Sequence, residues 1–296
     1  MPILDEKSPL VYREIGAYPY HFIQMSMPYR AVDAIQWTKH NGDLSMTLTA
    51  GAVRQIDGTI TNQLPFGKHA RSVLMYICTH AREHGNVRVN LSKSLRGFMR
   101  ELGIKYNDQR AREVLLQFRA VLAMTVTTSV MVDVGANKKD LSTVRFNVGF
   151  TENLHFEDEE LTGDSYYTLS SDFYNLLVAQ NSRPVDMDVW AEMIRKTKSP
   201  MAIDIYLWLT VRMYTLAQSN QRVVRISWDQ LYDQFGSQIS SLGNFKIKFR
   251  QALDKALTFY PEARVMEIGH GAQTGFRGLM LKRSPLAVSP TERIAD

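Results

Sequence analysis

Four polar side chains, Asn244, Lys248, Gln251 and Lys255, stand at i, i+4, i+7 and i+11, so any helix that contains them presents them on one face. Amide and ammonium groups in such a row suit duplex DNA. Asn and Gln can pair with adenine in the major groove, and Lys or Arg can meet guanine or phosphate. Lys246 and Arg250 flank the row, while Phe245, Phe249, Ala252 and Ala256 form a separate apolar stripe. The spacing therefore predicts a helix with one packed side and one side offered to nucleic acid. Further on, Arg277 and Arg283 share one strand parity and Lys282 has the other, placing cations where they can reach the minor groove or the backbone.

Catalytic chemistry has one candidate. His80-Ala81-Arg82-Glu83-His84 matches the H-x-x-E-H pattern, in which two histidines one turn apart share zinc and the glutamate acts as base. The pair precedes Gly85, however, where imidazoles equally suit the dipole and free carbonyls of a helix C-terminus. A zinc peptidase is therefore the minor alternative. Gly67-Lys68 lacks the upstream glycine and the following Ser or Thr of a phosphate-binding loop, His69 stands alone at a helix entry, and no G-x-S-x-G occurs. The expectation is a binding protein, not an enzyme, with no cofactor and no catalytic metal.

The elements that must position the polar row appear twice. In the first copy a helical pattern over 70–84 stops at Gly85, a short strand covers 87–90, and a helix over 92–102 ends at Gly103. A third helix over 108–124 follows, and β-rich stretches at 125–134 and 144–150 suggest a hairpin. The second copy opens with Ser199-Pro200, an N-cap and a first-turn proline, ahead of an apolar helix whose only charges are Asp204 and Arg212. Strand 223–227, helix 228–235, helix 244–259 and a hairpin of 264–268 with 276–283 complete it. Helix–strand–helix–helix–hairpin is the order of a winged helix, so the fold class is α+β, two tandem winged-helix domains with an N-terminal arm. The boundaries read as arm 1–43, first domain 44–160, linker and connecting helix 161–198, second domain 199–284 and tail 285–296. A small hairpin with an Asp57-Gly58 turn is expected within 44–61, and a short helix over 172–179. Glu157-Asp158-Glu159-Glu160 reads as a solvated loop or as a run that repels DNA or engages the basic face.

Length and charge agree with this plan. The 296 residues suit about two domains at roughly 150 residues each. The net charge is +5, and residues 243–283 alone hold eight basic residues against three acidic ones, an excess equal to that of the chain. A basic excess focused on one helix and hairpin is the footprint of a polyanionic partner. The first copy offers Gln109, Arg112 and Arg119 on its third helix, interrupted by Leu116, so it reads equally as a supporting phosphate contact or as a domain whose hairpin forms a dimer edge. Cys78 cannot form an internal disulfide, no apolar run spans a bilayer, and the N-terminus lacks a signal core. A cytoplasmic protein associated with the nucleoid or a plasmid is expected.

Several segments carry a family resemblance. Residues 64–71 begin Leu64-Pro65-Phe66-Gly67-Lys68, and Ser94-Leu95 with Phe98, Leu102 and Gly103 follows the pattern SL-x-x-F-x-x-x-LG. Pro184-Val185-Asp186, the run Ser199-Pro200 to Tyr206, Trp208-Leu209-Thr210, and Trp228, Leu231 with Gln234-Phe235-Gly236 extend it over about 64–283. These segments resemble the plasmid-encoded RepA family of replication initiators. The resemblance implies a protein that binds directly repeated duplex sites at a plasmid origin, self-associates as a dimer, opens the duplex and aids loading of the host helicase. It also implies that residues 244–255 are the principal reader. A winged-helix transcriptional repressor is the alternative within the DNA-binding class.

Overall fold

The structure, a computed structural model, describes residues 15–54, 58–85, 87–91, 94–135, 138–157, 160–161, 165–269 and 275–288. Residues 1–14, Asp57, the helix start expected at 92–93, the middle of the acidic run at 158–159, the second hairpin's tip at 270–274 and the tail from 289 onward lie outside them.

In chain order, β1 (Ile15–Pro19), α1 (Tyr20–Gln24), β2 (Gln36–Asn41), β3 (Leu44–Thr49), β4 (Ala52–Arg54) and β5 (Ile60–Asn62) precede the first long helix, α2 (Gly67–His84). Then come β6 (Arg88–Asn90), α3 (Leu95–Glu101), α4 (Asp108–Ala123), β7 (Thr125–Gly135), β8 (Lys138–Asn147) and β9 (Gly149–Asn153). The short β10 (Phe156–Glu157) and β11 (Glu160–Leu161) lead to β12 (Tyr166–Leu169), α5 (Ser171–Phe173) with a π-helical continuation Tyr174–Ala179, and β13 (Ser182–Asp186). The remainder is α6 (Met187–Lys196), α7 (Pro200–Gln218), β14 (Val223–Ser227), α8 (Trp228–Phe235), α9 (Leu242–Leu257), β15 (Arg264–Ile268) and β16 (Gly278–Lys282).

Local chemistry sets these boundaries. Ser199 Oγ accepts from the Ala202 N–H and Pro200 starts α7 without removing a helical bond. Ser227 and Gln230 form a reciprocal capping box that starts α8 directly after β14. Gly85 ends α2 with φ 58°, a left-handed conformation that glycine adopts without a Cβ penalty.

The repeat is real in the strand pairing, but its first copy is built differently from expectation. In the second copy the sheet order is β14-β16-β15. The matching order in the first copy is β6-β12-β9. The 125–134 and 144–150 stretches therefore do not close the first copy as its hairpin. Most of them belong to β7 and β8, which pair as far as Gly135 and Lys138 and join a separate antiparallel sheet, β2-β3-β7-β8. Only Gly149 and Phe150 begin the strand that pairs within the repeat. A Thr- and Val-rich alternating run specifies a strand without specifying its neighbour.

The expected N-terminal arm also needs correction for the described residues 15–41. β1 pairs with β13, β2 forms one edge of the four-stranded sheet, and Tyr18, Phe22 and Ile23 are buried. This segment binds the second copy directly. Lys39 Nζ donates to the Asp233 carbonyl at 2.7 Å, Gln238 Oε1 accepts from the Tyr29 N–H at 2.7 Å, and Gln234 Nε2 donates to the Gln24 carbonyl. Burial pulls the Lys39 ammonium down to about 8. The segment lacks a readable period because β1 is buried at four successive positions and α1 has only five residues.

The buried side chains from Tyr18 to Leu281 form one continuous cluster, so the two copies share a core. Inside it, Arg71 of α2 meets Asp204 of α7. Arg71 Nε and Nη2 donate to the two carboxylate oxygens at 2.6 and 2.7 Å, and further donations reach the carbonyls of Met27, Pro28 and Gly67. Burial opposes the charged form, yet the charge and hydrogen bonds of Asp204 hold the guanidinium above its ordinary pKa. Removing one partner of such a pair leaves an uncompensated buried charge. Arg71→Met or Asp204→Leu is expected to destabilise the fold by about 3–5 kcal/mol, and the double change by clearly less than the two singles together. Urea unfolding midpoints of the three variants check this.

Candidate nucleic-acid interface

An aromatic cluster aims α9. Phe245 and Phe249 are fully buried, Trp228 packs edge-on against both at 6.3 and 5.8 Å, and Tyr232 and Phe235 close the group. Ala252 and Ala256 continue the packed side as expected. The polar row is thereby rotated outward: Asn244, Lys248, Gln251 and Lys255 are all exposed. Ser241 caps the helix by accepting from the Asn244 N–H, so the row begins in the first turn.

One further residue shares this face. Ile247 is 55 % exposed between Asn244 and Gln251, at i+3 from one and i−4 from the other. An exposed branched aliphatic in the middle of a polar row can meet the C5-methyl group of thymine. The helical spacing already placed it there, but a search limited to polar types passes over it.

The flanking cations have other duties. Arg250 donates to both carboxylate oxygens of Glu267 on β15 at 2.8 and 2.7 Å, and its guanidinium lies 5.1 Å from the Trp228 ring. The Glu267 hydrogen bonds raise its pKa. Arg250 thus braces α9 against the sheet. Lys246 Nζ lies 5.7 Å from the same Trp228 ring. Arg277 is exposed just before β16, and its carbonyl accepts from the Trp228 N–H. Lys282 is half-buried at the other end of β16, while Arg283 is exposed and donates to the Ala217 carbonyl in the last turn of α7.

In the first copy, Arg112 is exposed on α4, and Gln109 Nε2 donates to Glu113 at 3.1 Å. Arg119 is held by Glu152 of β9 at 2.7 Å and by the Arg54 carbonyl of β4 at 2.6 Å. It ties three elements together and, like Arg250, is a positioning residue. The loop between β9 and β12, which corresponds in the repeat to the loop before β16, carries the acidic run Glu157-Asp158-Glu159-Glu160 in sequence.

His80, Glu83 and His84 do come together at the end of α2, their ligand atoms within 4.8 Å of one another. His84 Nδ1 lies 2.8 Å from the His80 carbonyl, and the two rings stack. Among the described residues no further His, Cys, Asp or Glu joins the group.

Among the described residues, no helix is long and apolar enough to cross a membrane. Residues 64–230 match the family described as plasmid-encoded RepA protein. No curated protein matches the chain in sequence. In fold, the chain is similar to the crystal structure of SeMet derivatives of domain 2 and domain 3 of RctB, with a TM-score of 0.59 at 9 % identity over 92 % of this chain and 99 % of that one. It is also similar to the crystal structure of the RctB domains 2-3, RctB-155-483, with a TM-score of 0.51 at 9 % identity over 88 % and 95 %.

The brace and the row are separable by substitution. Lys248→Ala is expected to leave stability within about 0.5 kcal/mol, because an exposed helical lysine without an ion pair contributes little to the fold. Arg250→Ala is expected to cost about 1 kcal/mol or more by removing both hydrogen bonds that tie α9 to Glu267 of β15. Thermal unfolding of the two variants side by side distinguishes these roles.

Proposed function

We propose, of a chain that belongs to the plasmid-encoded RepA-type family of replication initiators, that it binds directly repeated duplex sites at an origin through two winged-helix modules of unequal role. The observation that supports this reading best is the doubled sheet order, β6-β12-β9 and β14-β16-β15, joined to a single clean polar row on α9. In this reading α9 enters the major groove of each repeat. Asn244 and Gln251 address base edges, Lys248 and Lys255 address bases or phosphate, and Ile247 meets a thymine methyl. Arg277, next to the turn before β16, reaches the flanking backbone.

The first module supports this contact and pairs subunits. Its α4 offers Arg112 for a phosphate, while the acidic run Glu157-Asp158-Glu159-Glu160 that follows β9 in sequence disfavours DNA. The β7–β8 hairpin exposes Met131, Val132, Val134, Leu141 and Val144, and β8 is an edge strand of its sheet. An exposed apolar edge of this kind suits a second copy of the chain. Origin opening and host-helicase loading complete the proposed role. The chemistry is binding and deformation of DNA rather than catalysis, with no cofactor.

Two modules on adjacent major-groove faces cover about 20 base pairs, since those faces recur roughly every 10. A nuclease footprint on the DNA flanking the reading frame is expected to protect regularly spaced direct repeats of about that length. Protection of one isolated inverted repeat would favour a repressor instead. Replacing thymine by uracil at one position of the repeat is expected to weaken wild-type binding about fourfold, the worth of roughly one buried methyl group, and to leave Ile247→Ala binding unchanged. Competition binding with the two duplexes reads this out.

A further inference from the structure

We propose that Arg222, Arg264, Lys282 and Arg283 form a second, sequence-independent phosphate site, on the side of the second module turned away from α9. The inference rests on the DNA-binding reading above and concerns a different surface. The four cations and Val223 line one shallow depression with no carboxylate among its walls. The strand register brings them together: Lys282 lies between Val223 and Arg264 on the neighbouring strands, and the Arg283 N–H donates to the Arg222 carbonyl at 2.9 Å.

Among the described residues, none of the four takes part in an ion pair. Arg119 and Arg250, by contrast, each hold a glutamate. A group of cationic side chains with no carboxylate among them favours an anion beside it. Guanidinium and ammonium side chains both suit phosphate oxygens, and a guanidinium offers them paired N–H donors.

The site is not an extension of the α9 face. Leu279, Leu281 and Ile226 are buried on the inner side of the sheet, where Glu267 of β15 meets Arg250 of α9. Lys282 and Arg264 occupy positions of the opposite parity, with Met266 and Met280, and so stand on the outer side. They also lie four residues along the strands from Ile268 and Gly278, roughly 13 Å from the hairpin turn. A groove filled by α9 is therefore not the one that reaches them. The ligand is the phosphodiester backbone of a second stretch of nucleic acid, either the same duplex bent round the module or another segment. Binding there adds affinity without adding sequence preference.

The test uses the full chain and the triple variant Arg222→Ala/Arg264→Ala/Lys282→Ala, sparing Arg283 because it also holds the end of α7. Binding to a random-sequence duplex of about 40 base pairs is followed by fluorescence anisotropy between about 50 and 200 mM salt. The slope of log affinity against log salt is expected to fall by about two to three, near 0.9 for each phosphate that the variant no longer neutralises. The sequence enriched from a randomised duplex library should stay that of the wild type. A wild-type slope in the folded variant overturns the site. Lys248→Ala/Gln251→Ala, assayed in parallel, should instead alter the enriched sequence. If it does not, the α9 reading fails, whatever the triple variant shows.

Discussion

The arrangement of the two repeats depends on one buried guanidinium. Arg71 is wholly enclosed, and a charge in that position persists only when its donors are met. Asp204 takes two of them and three backbone carbonyls take the others. The partners come from α7 of the second copy, from the first turn of α2 in the first, and from the N-terminal segment at Met27 and Pro28. Each depends on the others being in place. The two repeats are consequently joined through a shared packed core and not through a linker alone.

Within that body the copies have diverged in charge and in accessory structure. The first carries an inserted hairpin, β7–β8, between its third helix and its repeat strands, together with the acidic run. The second keeps the shorter plan and the basic excess. Even there the excess is divided. Arg250 and Arg283 are partly occupied in holding α9 and α7, whereas Lys248 and Lys255 face solvent on α9 and Arg264 and Lys282 stand on the far side of the sheet. A tally of basic residues along the sequence merges these surfaces into one.

The parts that were legible in the sequence are those with a local cause. The caps at Ser199 and Ser227, the stops at Gly85 and Gly103, and the two stripes of α9 follow from chemistry within a few residues, and the structure reproduces them. Strand partnership has no such local cause. The residues of β6 carry no sign that they pair with β12, 76 to 80 positions away, rather than with the nearer β7 or β8. The fate of Arg119 and Arg250 was hidden for the same reason, since their glutamates lie 33 and 17 residues away. Residues 15–41 were illegible because a strand buried on both faces, β1, and a single helical turn leave no period to detect.

The central claim is that α9 reads bases and the first repeat supports it. Photocrosslinking from an aryl-azide side chain placed at Gln251 or at Arg112, on DNA carrying the origin repeats, tests this most directly. The account expects Gln251 to crosslink to base edges at one fixed position in every repeat, and Arg112 to give only weak crosslinks to the sugar-phosphate backbone. Base crosslinks from Arg112, with none from Gln251, would contradict it.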